Sequence, residues 1–302
     1  MTARPSLAES RVGVRLALGL ARTLPPRLGV RLGELLGSAY GRLAHLPQVQ
    51  AVCANQWVVS GGSLSAASLR RQTRAVFRVD GRALYHFYHH LNDPAGLLAL
   101  VDFDPSYEEL MARCREERQG ILLLGTHTAN FDLAGRATAL RDVPLLVLSY
   151  PQPPGGYQLQ NQLRQVARAE IEPISPSALR QAVERLRSGG TVVTGIDRPI
   201  HGSNYPVQFF GRLAQLPVGH VRMALKTKAW VYLMGARYQP NGRLRVWALG
   251  PIPMRPDEDL QRETTRNAEA ILAAAEEIIR PAPQQWSMFY PVWPDVQLPF
   301  SL

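Results

Sequence analysis

Lysine is nearly missing from this chain: Lys226 and Lys228 are the only two. Lys and Arg total 34 against 24 Asp and Glu, a formal net charge of +10, so the basic surplus is almost wholly arginine. These arginines are spread through helical patterns rather than gathered in a tail. No basic and aromatic residues interleave along any strand pair, which argues against nucleic-acid binding. A coding bias toward Arg explains the surplus, and a surface facing anionic lipid also fits it, since each basic group near such a membrane contributes about 1 kcal/mol.

Cysteine is equally scarce. Cys53 and Cys114 stand alone without a CxxC pair, which argues against a disulfide framework or a structural zinc and makes a reducing cytoplasm the expected compartment. No stretch approaches the roughly 18 uninterrupted apolar residues of a membrane-spanning helix. The nearest, "RVGVRLALGL", is broken by Arg11 and Arg15 and followed by Arg22 with no small-residue cleavage site, so neither a span nor a signal peptide is expected. G-x-S-x-G, G-x-G-x-x-G and P-loop motifs are also missing, which removes the usual signatures of α/β-hydrolases, dinucleotide enzymes and nucleotide hydrolases.

What remains is globular. The 302 residues, 46% hydrophobic and 19% charged, suffice for one large domain or two small ones. Arg11, Arg15 and Arg22 share a helical face. Arg27, Arg31, Glu34, Ser38 and Arg42 share another, with Leu28, Leu32, Leu35, Leu36 and Leu43 around the other side, and Pro25-Pro26 separates the two segments. Either this is a helical hairpin lying on a bilayer, or it is a pair of ordinary helices packed on a core. Residues 65–92 continue in helical register until Asn92-Asp93-Pro94.

Beyond that point "GILLLGTH", "VPLLVLSY", "TVVTGID", "AWVYLMGARY" and "RLRVWALG" read as strands. "SALRQAVERLRSG" and "PVGHVRMALKTK" read as helices, as does a last segment from Asp257 to Arg280. The expected fold is α/β: a central, mostly parallel sheet covered by helices on both faces, with an N-terminal amphipathic helical cap. One domain spans 1–302, with the cap over 1–95 and the catalytic core over 96–302.

The chemistry concentrates in "ILLLGTHTANFDLAG". In parallel sheets, sites form where strand ends meet turns and helix starts. Gly125 releases the strand, Thr126 to Asn130 form the turn, and "FDLAGRATAL" is the helix. His127 and Asp132 can then meet across the turn. A carboxylate accepting from one imidazole nitrogen fixes the tautomer and raises the basicity of the other, as a base acting on an alcohol requires. Taken alone the spacing is weak, and a solitary histidine beside a capping aspartate would also explain it.

His86, His89 and His90 lie on one helical face but lack an accompanying carboxylate or cysteine, so no metal is expected there. Asp102, Asp104, Glu108 and Glu109 fit a turn and a helix start. "SGG" at 60–62 and at 188–190 fits helix ends.

The HX4D spacing resembles the motif of the glycerolipid acyltransferase superfamily. "THTANFDLAG" is similar to the H-x-x-N-[WF]-[DE]-L block of its bacterial branch, which holds lipid A late acyltransferases and phosphatidylinositol mannoside acyltransferases. "NQLRQVARAEIEPI" resembles that branch's arginine segment at Arg164, with Ala169 or a neighbour where glycine is usual. "GGTVVTGIDRPIHGSNYPVQFFGRLAQLPVGHVRMA" resembles its second block, placing Asp197 where the mannoside branch carries Glu and Arg198 at its basic position. "EEIIRPAPQQWSMFYPVW" is similar to its closing E-x-x-I-x-x-x-P-x-Q-W block.

The resemblance implies an O-acyltransferase moving a fatty acyl group from acyl-CoA or acyl carrier protein to a hydroxyl of a membrane glycolipid or phospholipid. No bound cofactor is implied. His127 would be the base and Asp132 its orienting carboxylate. Asn130, Arg164, Asp197 and Arg198 would contact substrate: the arginines on phosphates, Asp197 on sugar hydroxyls or in support of the base. Expected partners are the membrane surface, the lipid acceptor and acyl carrier protein, with no nucleic acid, at the cytoplasmic face of the inner membrane. A non-catalytic lipid-binding protein on the same fold is the alternative.

Overall fold

A computed structural model describes residues 11–116, 118–151, 153, 155–200, 202 and 204–300. Four helices come first: α1 (Arg11–Thr23), α2 (Pro26–Tyr40), α3 (Pro47–Val59) and α4 (Ala66–His89). Pro26 and Pro47 open two of them, where a missing amide leaves no hydrogen bond unmade. The short α5 (Pro94–Ala99), β1 (Val101–Phe103) and α6 (Pro105–Glu116) lead into the sheet.

The remaining elements alternate: β2 (Ile121–Gly125), α7 (Phe131–Leu140), β3 (Leu145–Ser149), α8 (Gly155–Arg164), β4 (Ala169–Pro173), α9 (Pro176–Arg187) and β5 (Thr191–Gly195). A hairpin of β6 (Tyr205–Phe209) and β7 (Arg212–Leu216), then α10 (Gly219–Thr227), β8 (Trp230–Tyr238), β9 (Leu244–Ile252) and α11 (Leu260–Ile279), complete the order. The sheet runs β1-β9-β8-β2-β5-β3-β4, and only the β8–β9 pair is antiparallel. It is mostly parallel, as expected.

Alternation within the strands sends side chains to two cores, because successive residues face opposite sides of a sheet. Leu122, Leu124, Leu146 and Val192 pack against α9, α10 and α11 on one side. Ile121, Leu123, Leu145 and Tyr232 pack against α6 and α7 on the other.

The helical hairpin packs on α4 through glycine rather than through its leucines. Gly29, Gly33, Gly37 and Gly41, one per turn, form the face of α2 and its end that lies on α4. A Cβ at Gly33 would run into the Gly81 carbonyl, and one at Gly37 into the Phe77 carbonyl. With glycine taking the inner face, Leu28, Leu35, Leu36 and Leu43 are left exposed, as are Val12, Leu16 and Leu20 of α1. Among the described residues no helix is long and apolar enough to cross a membrane.

Candidate active site

Strand β2 ends at Gly125 in the centre of the sheet, and α7 begins at Phe131. The turn between them is tied to the C-terminal segment. The Ala129 amide donates to the Gln285 carbonyl at 2.6 Å, and the Ser287 amide donates to the His127 carbonyl at 2.8 Å. Ala129 itself sits at φ 48°, an uncommon region for a residue with a side chain.

Register then decides which carboxylate reaches the histidine. Gly125 of β2 lies opposite Gly195 of the parallel neighbour β5. His127 and Asp197, each two residues further on, therefore leave the sheet side by side. Asp197 Oδ1 accepts from His127 Nδ1 at 2.7 Å, and Oδ2 accepts from the His127 backbone amide at 2.8 Å. The Trp286 indole donates to Oδ2 as well, at 2.7 Å. Strand β5 arrives as glycine, and a Cβ at Gly195 would crowd the ring at 3.3 Å from His127 Cε1.

Asp197 is fully buried. Burial by itself would raise its pKa, but the His127 charge and the donors from His127 and Trp286 outweigh it and the net shift is downward. The carboxylate therefore stays ionised and holds the proton of His127 on Nδ1. Nε2 is left with its lone pair, as a general base needs.

The expected pairing of His127 with Asp132 is corrected. Asp132 sits in the first turn of α7, and its carboxylate is taken by Arg164 at the end of α8: Nε donates to Oδ1 at 2.7 Å and Nη2 to Oδ2 at 2.9 Å. Arg164 also donates to Asn161 Oδ1 at 2.9 Å. Its guanidinium is thus largely neutralised, and it acts first as a brace between α7 and α8.

Two substrate contacts are corrected as well. Asn130 caps α7 by accepting from the Leu133 amide, and its own amide donates to the Ala83 carbonyl and the Tyr238 hydroxyl. It is buried and spent on structure. Asp197 has no exposed oxygen for a sugar; of its two readings, only support of the base survives.

Arg198 differs from Arg164. It lies over the Tyr290 ring at 3.8 Å and the Tyr150 ring at 4.1 Å. No carboxylate engages it among the described residues, and its buried Nε has no hydrogen-bond partner. Such a stacked guanidinium keeps its outer donors for an incoming anion.

His127, Asp132, Arg164 and Arg198 all border one cavity of about 160 Å³. From this polar mouth it continues over the sheet between Leu123, Val147, Ile171 and Val193 and the Gly135 side of α7, reaching Tyr107 and Met234. The lining is apolar apart from the mouth, and a Cβ at Gly135 would meet nothing within 4 Å.

Of the other histidines, His89 Nδ1 lies 2.7 Å from the Ala21 carbonyl and His90 Nδ1 2.9 Å from the His86 carbonyl, so both serve helix packing. Among the described residues no group of histidines, cysteines and carboxylates could hold a metal.

Trp286, Gly195 and the tyrosines around Arg198 were not foreseen as site residues. For Trp286 a signal exists in the Gln-Trp pair of the closing block; for the others only strand register brings them in.

A search among curated proteins finds no match to this chain. Residues 103–294 match the family model of the bacterial lipid A biosynthesis acyltransferases. That span carries His127, Asp197, Trp286 and the apolar cavity, and covers more than half of the sequence. The chain belongs to the bacterial lipid A biosynthesis acyltransferase family.

Proposed function

We propose that the protein is an O-acyltransferase that moves a fatty acyl group from a thioester, acyl-CoA or acyl carrier protein, to a hydroxyl of a membrane glycolipid or phospholipid. The observation that carries the reading is the His127–Asp197 pair at the mouth of an otherwise apolar cavity. Among the described residues no serine, threonine or cysteine is seen to hydrogen-bond the His127 ring, whose partner is Asp197, and in this reading the acceptor hydroxyl attacks directly.

In this scheme the acceptor oxygen attacks the thioester carbonyl while its proton passes to His127 Nε2. The tetrahedral adduct collapses, the C–S bond breaks, and the imidazolium returns the proton to the leaving thiolate. Asp197 stabilises the imidazolium throughout without taking the proton. The acyl chain occupies the apolar cavity, and Arg198 receives a phosphate of the donor or the acceptor.

Access to lipid is supported by the exposed leucines and arginines of α1 and α2. Their arrangement suits a hairpin lying at the headgroup boundary rather than through the bilayer. The protein would then work peripherally at the cytoplasmic face of the inner membrane, where thioester donors are made.

Thioester consumption measured with and without acceptor lipid tests the reading. Acceptor-dependent release of thiol, with an ester-linked product by mass spectrometry, is the expected result. Lipid binding without thioester consumption would favour a non-catalytic lipid-binding role instead.

A further inference from the structure

A second cavity, of about 280 Å³, lies at the N-terminal half of α4 and shares no lining residue with the catalytic one. Its walls include Arg42 in the turn after α2, Cys53 of α3, and Arg70, Arg71 and Arg74 of α4. The sequence around it has no opposing charge: from Leu35 to Val79 there is no aspartate or glutamate. Several arginines elsewhere are paired with carboxylates, as in Arg82 with Glu34, Arg141 with Glu108 and Arg164 with Asp132. None of the four cavity arginines forms an ion pair with a carboxylate among the described residues. Arg71 donates to the Ser68 hydroxyl at 2.9 Å and Arg74 to the Arg70 carbonyl at 3.3 Å, which leaves most of their fork donors unused.

Thr73, which is 2% exposed, also borders the cavity, with its hydroxyl against the Cys53 thiol. Four like charges around a concavity repel one another unless an anion sits between them. The guanidinium fork matches phosphate oxygens. Leu43, between the lining residues Arg42 and Ala44 in sequence, is 42% exposed, and Leu35 and Leu36 of α2 are more exposed still.

We infer that this cavity is a second lipid site, which takes the phosphate-bearing headgroup of an anionic membrane phospholipid between Arg42, Arg70, Arg71 and Arg74. The exposed leucines of α2 and the turn after it favour a lipid over a free phosphorylated solute, because they offer acyl chains a surface that a solute would not use. The concave shape favours a headgroup over an acidic protein, for the volume is near the lower end of small-molecule pockets, roughly 300 Å³. The site needs no acyl transfer, so it stands or falls separately from the catalytic reading.

Binding of monomeric dihexanoyl phosphatidylglycerol to the full chain, followed by calorimetry, tests the site. The expected result is saturable binding at least about tenfold tighter than that of glycerol 3-phosphate or dihexanoyl phosphatidylcholine. It should weaken at least about tenfold in Arg70→Gln/Arg71→Gln/Arg74→Gln and in the milder Arg42→Gln/Arg71→Gln. A triple Arg→Lys variant, which keeps the charge, should lose less than the Gln triple. Removing as much exposed charge far from the cavity, in Arg187→Gln/Arg212→Gln/Arg222→Gln, should leave binding intact.

Four results overturn the inference. Glycerol 3-phosphate binding as tightly as the lipid would mean a solute site. Equal losses in the control triple would mean a diffuse surface effect. Insensitivity to both cavity variants would place the lipid elsewhere, and competition by an acidic carrier protein without any lipid binding would mean a protein dock.

Discussion

Asp197 grips His127 twice, through the ring nitrogen Nδ1 at 2.7 Å and through the backbone amide of the same residue at 2.8 Å. One carboxylate thus sets both where the histidine sits and which tautomer it holds. The Trp286 indole, at 2.7 Å, satisfies the same oxygen that receives the amide. Trp286→Phe keeps the ring packing against Phe209 and Phe210 but removes the donor. It should lower kcat by about tenfold while leaving KM unchanged, since only the support of the base is weakened; steady-state kinetics at saturating thioester checks this.

Asp132 is predicted to matter through Arg164. Asp132→Asn leaves a guanidinium that is 13% exposed without its charge partner. Removing one member of a buried pair costs about 3 kcal/mol, so the thermal unfolding midpoint should fall clearly. The kcat loss should be smaller than that of Asp197→Asn, and Asp132→Glu should restore part of the stability. Calorimetry on the variants decides.

Gly135 borders the acyl cavity with open space where a Cβ would be. Gly135→Leu should shorten the preferred acyl chain, with kcat/KM for the longest good donor falling more than about tenfold relative to a shorter one. Stability should hold or rise, because leucine exceeds glycine in helix propensity by about 0.8 kcal/mol. A donor series of increasing chain length, run on both proteins, reads this directly.

Gly37 carries a different constraint. A side chain there strikes the Phe77 carbonyl of α4, so Gly37→Leu should prise α2 away and destabilise by about 3 kcal/mol or more. A change at exposed Leu36, such as Leu36→Met, should be neutral for folding. Chemical denaturation separates the two.

Burial pushes the pKa of His86 down to about 4, with His90, Arg82 and His89 adding to the effect, and burial alone pushes His220 down to about 4. The unfolded chain takes up these protons near pH 6.5. The stability held by the neutral forms is therefore complete above about pH 6.5 and is lost as pH falls from there toward 4, by up to about 3 kcal/mol per histidine. His220→Leu should flatten that acid limb in denaturation measured across the range.

Much of this architecture is legible in the sequence. The strand–turn–helix at 121–140 follows from an aliphatic run and a releasing glycine, and the helix starts at Phe131 as expected. His127, the proposed base, stands out for the same reason. Its carboxylate does not, because Asp197 is 70 residues away in sequence and arrives only through the pairing of β2 with β5. Helix α3 escaped the periodic reading because Val49, Val52, Asn55, Gln56 and Val59 are buried all around it, leaving no polar face to reveal the period. On α2 the leucines drew the eye, whereas the glycine repeat sets the packing and turns the leucines outward.

The central claim is that Asp197, and not Asp132, holds the catalytic base. Single-turnover acyl transfer at saturating thioester and lipid acceptor, compared for Asp197→Asn and Asp132→Asn, tests it most directly. The predicted result is a fall of about 10²–10⁴ in rate for Asp197→Asn, well beyond that for Asp132→Asn, with both proteins still folded. A near-normal rate for Asp197→Asn beside a collapsed rate for Asp132→Asn would contradict the account.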